Sequence, residues 1–168
     1  MSTDFKIRSA AVEDLPHILS LIRELAEYEK LSHEVTATEE LLRQHLFGEG
    51  RAGEVILACA QGECVGFAVF FQNFSTFLGK PGIYLEDLYV RPAFRGRGFG
   101  KALMVYLARL ASERGCGRFE WSVLDWNSPS IEFYRSIGAV PLSEWTVQRM
   151  TGQSIARLAA QRLPGEEG

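Results

Sequence analysis

Polar and apolar positions alternate over Phe5-Lys-Ile-Arg8, which predicts a short strand. The period then lengthens. Leu15, Ile18, Leu19, Ile22, Leu25 and Ala26 recur at helical spacing within residues 13–28, with Pro16 tolerated in the first turn. Thr36-Ala-Thr-Glu39 reads as a capping box opening a second helix that runs to about Phe47. Residues 48–53 read as a loop, and Glu54–Ala60 with 63–71 as a hairpin about a Gln61-Gly62 turn. Residues 73–82, marked by Gly and Pro, read as another loop. A β-branched and aromatic run predicts a strand over 83–90, followed by a basic, glycine-rich turn over 91–98. A long amphipathic helix is expected over 100–114, ending at Gly115, and a strand over 119–124. Ser128 as N-cap and Pro129 at the first helical position predict a helix over 128–137, ended by Gly138. A late strand (145–150), a final helix (154–162) and a frayed tail (164–168) complete the chain. The order β-α-α-β-β-β-α-β-α-β-α predicts one mixed α/β (α+β) domain over residues 1–168.

Composition adds mainly exclusions. At 46% hydrophobic and 23% charged, the chain has ordinary globular composition, and a net charge of −3 gives no basic field for nucleic acid. Its longest apolar runs, 65–71 and 102–108, fall well short of the roughly 20 residues a membrane span needs. The opening Met-Ser-Thr-Asp-Phe-Lys lacks the apolar stretch of a secretory signal, so a cytoplasmic location and no membrane partner are expected. Three cysteines, Cys59, Cys64 and Cys116, match no zinc spacing and are expected as reduced, packed thiols, although Cys59 and Cys64 face each other if the hairpin forms. His17, His33 and His45 are scattered, and no metal is expected.

The stretch Tyr89-Val-Arg-Pro-Ala-Phe-Arg-Gly-Arg-Gly-Phe-Gly-Lys101 carries the most chemistry. It reads strand, glycine turn, helix. Gly96, Gly98 and Gly100 let the backbone approach a ligand, and their N–H groups join those of the helix start in an anion site. Arg95, Arg97 and Lys101 add positive charge, so a phosphate or diphosphate is the expected guest. The glycines fall as G-x-G-x-G, not the G-x-G-x-x-G of dinucleotide folds. Arg95 and Ala102 stand where a P-loop needs Gly and Ser or Thr.

Arg95-Gly-Arg-Gly-Phe-Gly100, between a strand and a long helix, resembles the acetyl-coenzyme A loop of the GNAT superfamily of N-acetyltransferases, whose pattern is Arg/Gln-x-x-Gly-x-Gly/Ala. Ala26-Glu-Tyr-Glu29, Tyr84-Leu-Glu-Asp87, Val123-Leu-Asp-Trp-Asn127 and Ser130-Ile-Glu-Phe-Tyr134 narrow the likeness to its diamine (spermidine/spermine) acetyltransferase branch. Within that branch, Ser75-Thr76 and Leu124-Asp-Trp-Asn127 look more like the thialysine N-ε-acetyltransferase type than the polyamine type. The chain departs from both by an extra residue near Pro81-Gly82.

The resemblance implies a GNAT fold: a central, mostly antiparallel sheet flanked by helices, with splayed strands that hold acetyl-CoA. It also implies direct acetyl transfer to a small-molecule primary amine in a ternary complex, and a homodimer. A primary amine has a pKa of about 10.4 and is mostly ammonium at neutral pH, so a base must draw its proton away. The likeness assigns that role, through water, to Glu86, and gives Tyr134 the general-acid role at the departing thiolate. Leu88, Tyr89 and Val90 would pair through their backbone with the pantetheine arm, an added-strand logic. Residues 95–101, with Phe99 among them, would hold the diphosphate, and Asn127, Ser130 and Phe133 would complete the cofactor contacts. Tyr28, Glu29, Ser75, Thr76, Phe77 and Asp87 would contact the amine, Phe77 walling its channel, with Glu29, Glu86 and Asp87 as an acidic mouth. In a regular strand Glu86 and Asp87 point to opposite faces; a bulge would change that. Trp145 is expected in the core. The alternatives are a polyamine acetyltransferase, a protein-lysine or N-terminal acetyltransferase, and a CoA-binding module without catalysis.

Overall fold

The computed structural model describes residues 4–165. The chain forms two compact units, one ending at Ser122 and one beginning at Val123. A five-stranded sheet in the order β1-β2-β3-β4-β5 fills the first unit. β1 (Phe5–Ser9), β2 (Glu54–Ala60), β3 (Glu63–Ser75) and β4 (Lys80–Val90) pair antiparallel with their neighbours, and β5 (Arg118–Trp121) joins β4 in parallel. Parallel neighbours need a crossover, and α3 (Phe99–Glu113) supplies it.

β2 lies inside the sheet and is buried from Val55 to Ala60, the pattern of a strand covered on both faces. α1 (Leu15–Tyr28) packs Ile18, Leu21 and Leu25 with Val55, Leu57, Cys59, Phe67 and Tyr89. α3 buries Leu103, Met104, Leu107 and Ala111, and Phe99 at its start stacks on Phe5 with centroids 4.2 Å apart. Past its end, Arg114 donates twice to the Glu54 carboxylate, at 2.7 and 2.8 Å. Arg91 ties the foot of β4 to α1. Its Nη2 donates to Glu24 Oε1 at 2.9 Å and its Nη1 to the Cys64 carbonyl at 2.9 Å.

Several expectations need correction. The second helix is capped by Thr38, not Thr36: the Thr38 hydroxyl accepts from Leu41 N–H, so no capping box forms. α2 is only Glu39–Leu42, and a π-turn over Arg43–Phe47 finishes the segment. The expected loop over 73–82 is largely a hairpin. β3 runs to Ser75 and β4 begins at Lys80, with Gly79 at φ 62° in the turn. Pro81 is tolerated within the strand because its carbonyl accepts from Gly117 N–H and its missing donor costs the ladder little. Gly82 is needed there, because a Cβ would collide with Asn73 Oδ1 and press on Arg118. β5 stops at Trp121 rather than continuing to residue 124.

The Gln61-Gly62 turn is as expected, both residues having positive φ (55° and 80°). Cys59 and Cys64 stand opposite each other in the register with Sγ atoms 3.8 Å apart, as free thiols. Burial, then the Cys59 contact, pushes the Cys64 thiol up to about 11.

The second unit holds α4 (Ser128–Ser136) and α5 (Gly152–Ala159). Asn127, not Ser128, caps α4, its side chain accepting from Ser130 N–H. The strand expected over 145–150 is absent from its described position. Strands exist only where a ladder partner satisfies them, and none pairs here. Trp145 is 78% exposed, not core. Of the expected tail, Pro164 and Gly165 form an exposed turn, and 166–168 lie outside the described residues.

Candidate active site

The site begins with a fault in a ladder. Along β3–β4, Val69 pairs with Asp87 but Phe70 pairs with Leu85, so Glu86 is an extra residue in a bulge. The bulge breaks strict alternation and lets consecutive carboxylates serve one neighbourhood. Glu86 is exposed and Asp87 half-buried. Asp87 is pushed up to about 6, first by burial and then by the charges of Glu86 and Glu29. Glu29, just past α1, is also raised by burial. Glu29 and Glu86, from two distant segments, thus lie near enough for their charges to act on Asp87, and in this electrostatic sense the three make one acidic group.

The second feature is a strand edge that no other strand pairs among the described residues. β5 accompanies β4 only from Gly82 to Leu85. β4 continues through Glu86, Asp87, Leu88, Tyr89 and Val90 without it. Arg91 N–H points back to Val65 of β3, so alternation turns the backbone polar groups of Leu88 and Val90 toward the open side. The edge opens because β5 ends at Trp121, short of the expected residue 124.

The edge leads into the glycine turn. A short 3₁₀ turn, Pro92–Phe94, precedes Gly96 and Gly98, at φ 74° and 81°, where side-chain-bearing residues are strained. Gly98 caps α3, and the first helical hydrogen bond runs from Ala102 N–H to its carbonyl. The N–H groups of Phe99, Gly100 and Lys101 lie ahead of that bond and point out of the helix end. Gly100 has no positive φ, and a Cβ there would meet nothing within 4 Å. Protein packing does not demand a glycine at this position; a ligand seated on the backbone would. Outward N–H groups at a helix N-terminus suit an anion, and Arg97 and Lys101 add positive charge to the same segment. Phe99 points inward to the core.

Arg95 turns away from this group. Its Nε donates to the Val90 carbonyl at 2.8 Å, and its guanidinium lies 4.8 Å from the Tyr28 ring centroid and 5.4 Å from that of Tyr89.

Other expected residues are placed differently. Ser75 is buried at the end of β3, its hydroxyl accepting from Leu78 N–H. Thr76 and Phe77 occupy the hairpin tip, where Phe77 is fully exposed. At about 3.3 Å per residue, that tip lies roughly 20 Å along β4 from Glu86. The reason is the strand that replaced the expected loop. In the second unit, Asn127 is buried, with its oxygen engaged in the α4 cap. Ser130 gives its N–H to that cap. Phe133 and Tyr134 sit half-buried on α4 with ring centroids 5.3 Å apart. The Arg91–Glu24 pair carries no signal in the sequence. Its members stand far apart in the chain, and no local pattern marks such a pair.

The acetyltransferase (GNAT) family model matches residues 17–139. The chain belongs to the GNAT family. It is 40% identical to the thialysine N-epsilon-acetyltransferase of Sus scrofa over 166 residues, covering 92% of this chain and 97% of that protein. It is 32% identical to an L-ornithine N5-acetyltransferase of Arabidopsis thaliana, covering 89% and 86%. Among solved structures, an integron cassette protein from the V. cholerae mobile metagenome superposes with TM-score 0.78 at 28% identity, over 94% of this chain and 98% of that one. An aminoglycoside N-acetyltransferase in complex with CoA shares the fold, with TM-score 0.71 at 20% identity, over 89% and 97%. The GNAT fold expected from the sequence is present, and this chain is an acetyltransferase.

Two outcomes follow from the geometry. Gly100→Leu meets open space in a helix that favours Leu over Gly, so thermal stability holds or rises while the KM for acetyl-CoA climbs about tenfold or more. A lowered melting temperature with unchanged KM contradicts the assignment. Asp87 gains a proton as the pH falls through about 6, and only its charged form can attract an ammonium docked at this acidic group. kcat/KM for the amine therefore falls below that pH, and Asp87→Asn removes this limb. The same limb at the same pH in Asp87→Asn contradicts the reading.

Proposed function

We propose that this chain, as one N-acetyltransferase domain, acetylates a primary amine of a small thialysine- or lysine-like molecule by direct transfer from acetyl-CoA. The observation that carries the reading is the open β4 edge running from the acidic group at Glu86 and Asp87 into the glycine turn. The substrate class is supported by relatives that match nearly the whole chain.

Bound acetyl-CoA supplies the activated acyl group as a thioester. In this reading, Leu88 and Val90 extend their free backbone groups along the pantetheine arm, with Tyr89 holding the strand to β3. The Gly96–Gly100 N–H groups, Arg97 and Lys101 hold the diphosphate, and the family resemblance assigns further cofactor contacts to Asn127, Ser130 and Phe133. Glu29 and Asp87 attract the ammonium, and Glu86, exposed in its bulge, accepts the proton through water. With an unshifted pKa of about 10.4, the ammonium costs about 4–5 kcal/mol to deprotonate at neutral pH, which is what the carboxylates must offset. Tyr134 donates its phenolic proton to the departing thiolate. No cysteine takes part. The protein acts in the cytoplasm as a homodimer; the exposed Phe74, Phe77 and Leu78 at the hairpin tip are the apolar surface such an assembly would cover.

The test is release of free CoA from acetyl-CoA over a panel containing thialysine, lysine, ornithine, spermidine and a lysine-bearing peptide. The account expects the greatest kcat/KM on thialysine or lysine, and a kcat lowered about 10²–10⁴-fold in Tyr134→Phe. Preference for spermidine identifies a polyamine enzyme instead, and no release with any amine refutes the proposal.

A further inference from the structure

The side chain of Arg95 is committed in three directions. Its Nε donates to the Val90 carbonyl at 2.8 Å, and its guanidinium lies over Tyr28 at 4.8 Å and Tyr89 at 5.4 Å. Val90 is the last residue of the open β4 edge, and its carbonyl points to the open side. Tyr28 is the last residue of α1, and Glu29 of the acidic group follows it directly. One guanidinium thus bridges the end of the cofactor edge and the segment that carries an amine-facing carboxylate. Arg97, in contrast, lies over Phe94 within the turn itself, 5.2 Å from its ring.

We propose that Arg95 is a positioning residue for the amine: its side chain clamps the Tyr28–Glu29 end of α1 to the foot of β4, while the diphosphate is left to Arg97, Lys101 and the turn's backbone. The inference rests on the acetyl-transfer reading above. It also narrows the added-strand pairing. With the Val90 carbonyl taken by Arg95, the edge offers the N–H and C=O of Leu88 and the N–H of Val90. The arrangement makes amine affinity depend on a residue of the cofactor motif. A planar cation between two tyrosine rings suits this, because it grips both without needing a buried counter-charge.

Steady-state kinetics on the purified full chain, with acetyl-CoA and the best amine of the panel, separate the possibilities. Arg95→Met raises the KM of the amine about five- to tenfold, the size expected for two exposed cation–π contacts, and changes the KM of acetyl-CoA less than about twofold. Arg95→Lys, which keeps a cation over the rings, falls between wild type and Arg95→Met. Tyr28→Leu reproduces the Arg95→Met effect, and the double variant is no worse than the poorer single one, as coupled residues require. Arg97→Met shows the opposite split, raising the KM of acetyl-CoA. Thermal melts confirm that the variants compared are folded; Arg95→Lys and Tyr28→Leu carry the test should Arg95→Met unfold. An Arg95→Met enzyme impaired for acetyl-CoA but not for the amine, or losses that add in the double variant, overturn the inference while leaving acetyl transfer intact. A wild type that acetylates no amine overturns the acetyl-transfer reading and this inference with it.

Discussion

β4 loses its parallel partner after Leu85 yet continues for another five residues before the chain turns. A strand edge with free N–H and C=O groups is ordinarily a hazard, because anything with matching groups can add to it. Here the edge is short. It begins at a bulge and ends under Arg95, which caps the final carbonyl. The remaining groups at Leu88 and Val90, without a backbone partner among the described residues, are enough for a ligand that imitates a short strand and too few to template another chain. The glycine turn and the acidic group sit at opposite ends of this edge, so one interrupted ladder sets the distance between the outward N–H groups and the carboxylates.

The surrounding structure keeps that edge in place. Arg91 fastens the foot of β4 both to Glu24 of α1 and to the carbonyl of Cys64 in β3. Phe99 anchors the start of α3 against Phe5, and Arg114 anchors its far end against Glu54. A helix held at both ends presents its N-terminal N–H groups at a fixed place, which is what an anion site requires. The acidic group is less settled electrostatically. Asp87 shares its surroundings with two other carboxylates and sits partly out of water, so a cation arriving there relieves repulsion as well as gaining attraction.

Much of this was legible in the sequence, and the failures have physical causes. The hairpin about Gln61-Gly62, the long helix after Gly98 and the glycine turn carry strong local signals: positive-φ residues, helical periodicity and closely spaced glycines. The Asn73–Gly82 stretch misled because Gly and Pro mark turns on average; here Gly82 relieves a crowded strand and Pro81 sits where its missing donor is not needed. The caps at Thr38 and Asn127 each lie within two residues of an equally suitable Thr or Ser, and local chemistry does not choose between them. The Trp145–Met150 alternation looks like a strand, but strand formation depends on a partner that local pattern cannot supply. The bulge at Glu86 and the Arg95 clamp are both long-range results: the first arises from the register with β3, the second from α1 meeting the turn. The distance of Phe77 from Glu86 is long-range in the same sense, since it follows from strand pairing.

The central claim is that the free backbone of β4 and the glycine turn together receive acetyl-CoA. Amide hydrogen exchange, with and without saturating acetyl-CoA, tests it at the atoms concerned. The account predicts slowed exchange at the Leu88 and Val90 amides and at Gly96 through Lys101, with little change along β1 and β2. Unaltered exchange at Leu88 and Val90 in the presence of bound acetyl-CoA, or protection confined to other segments, would contradict it.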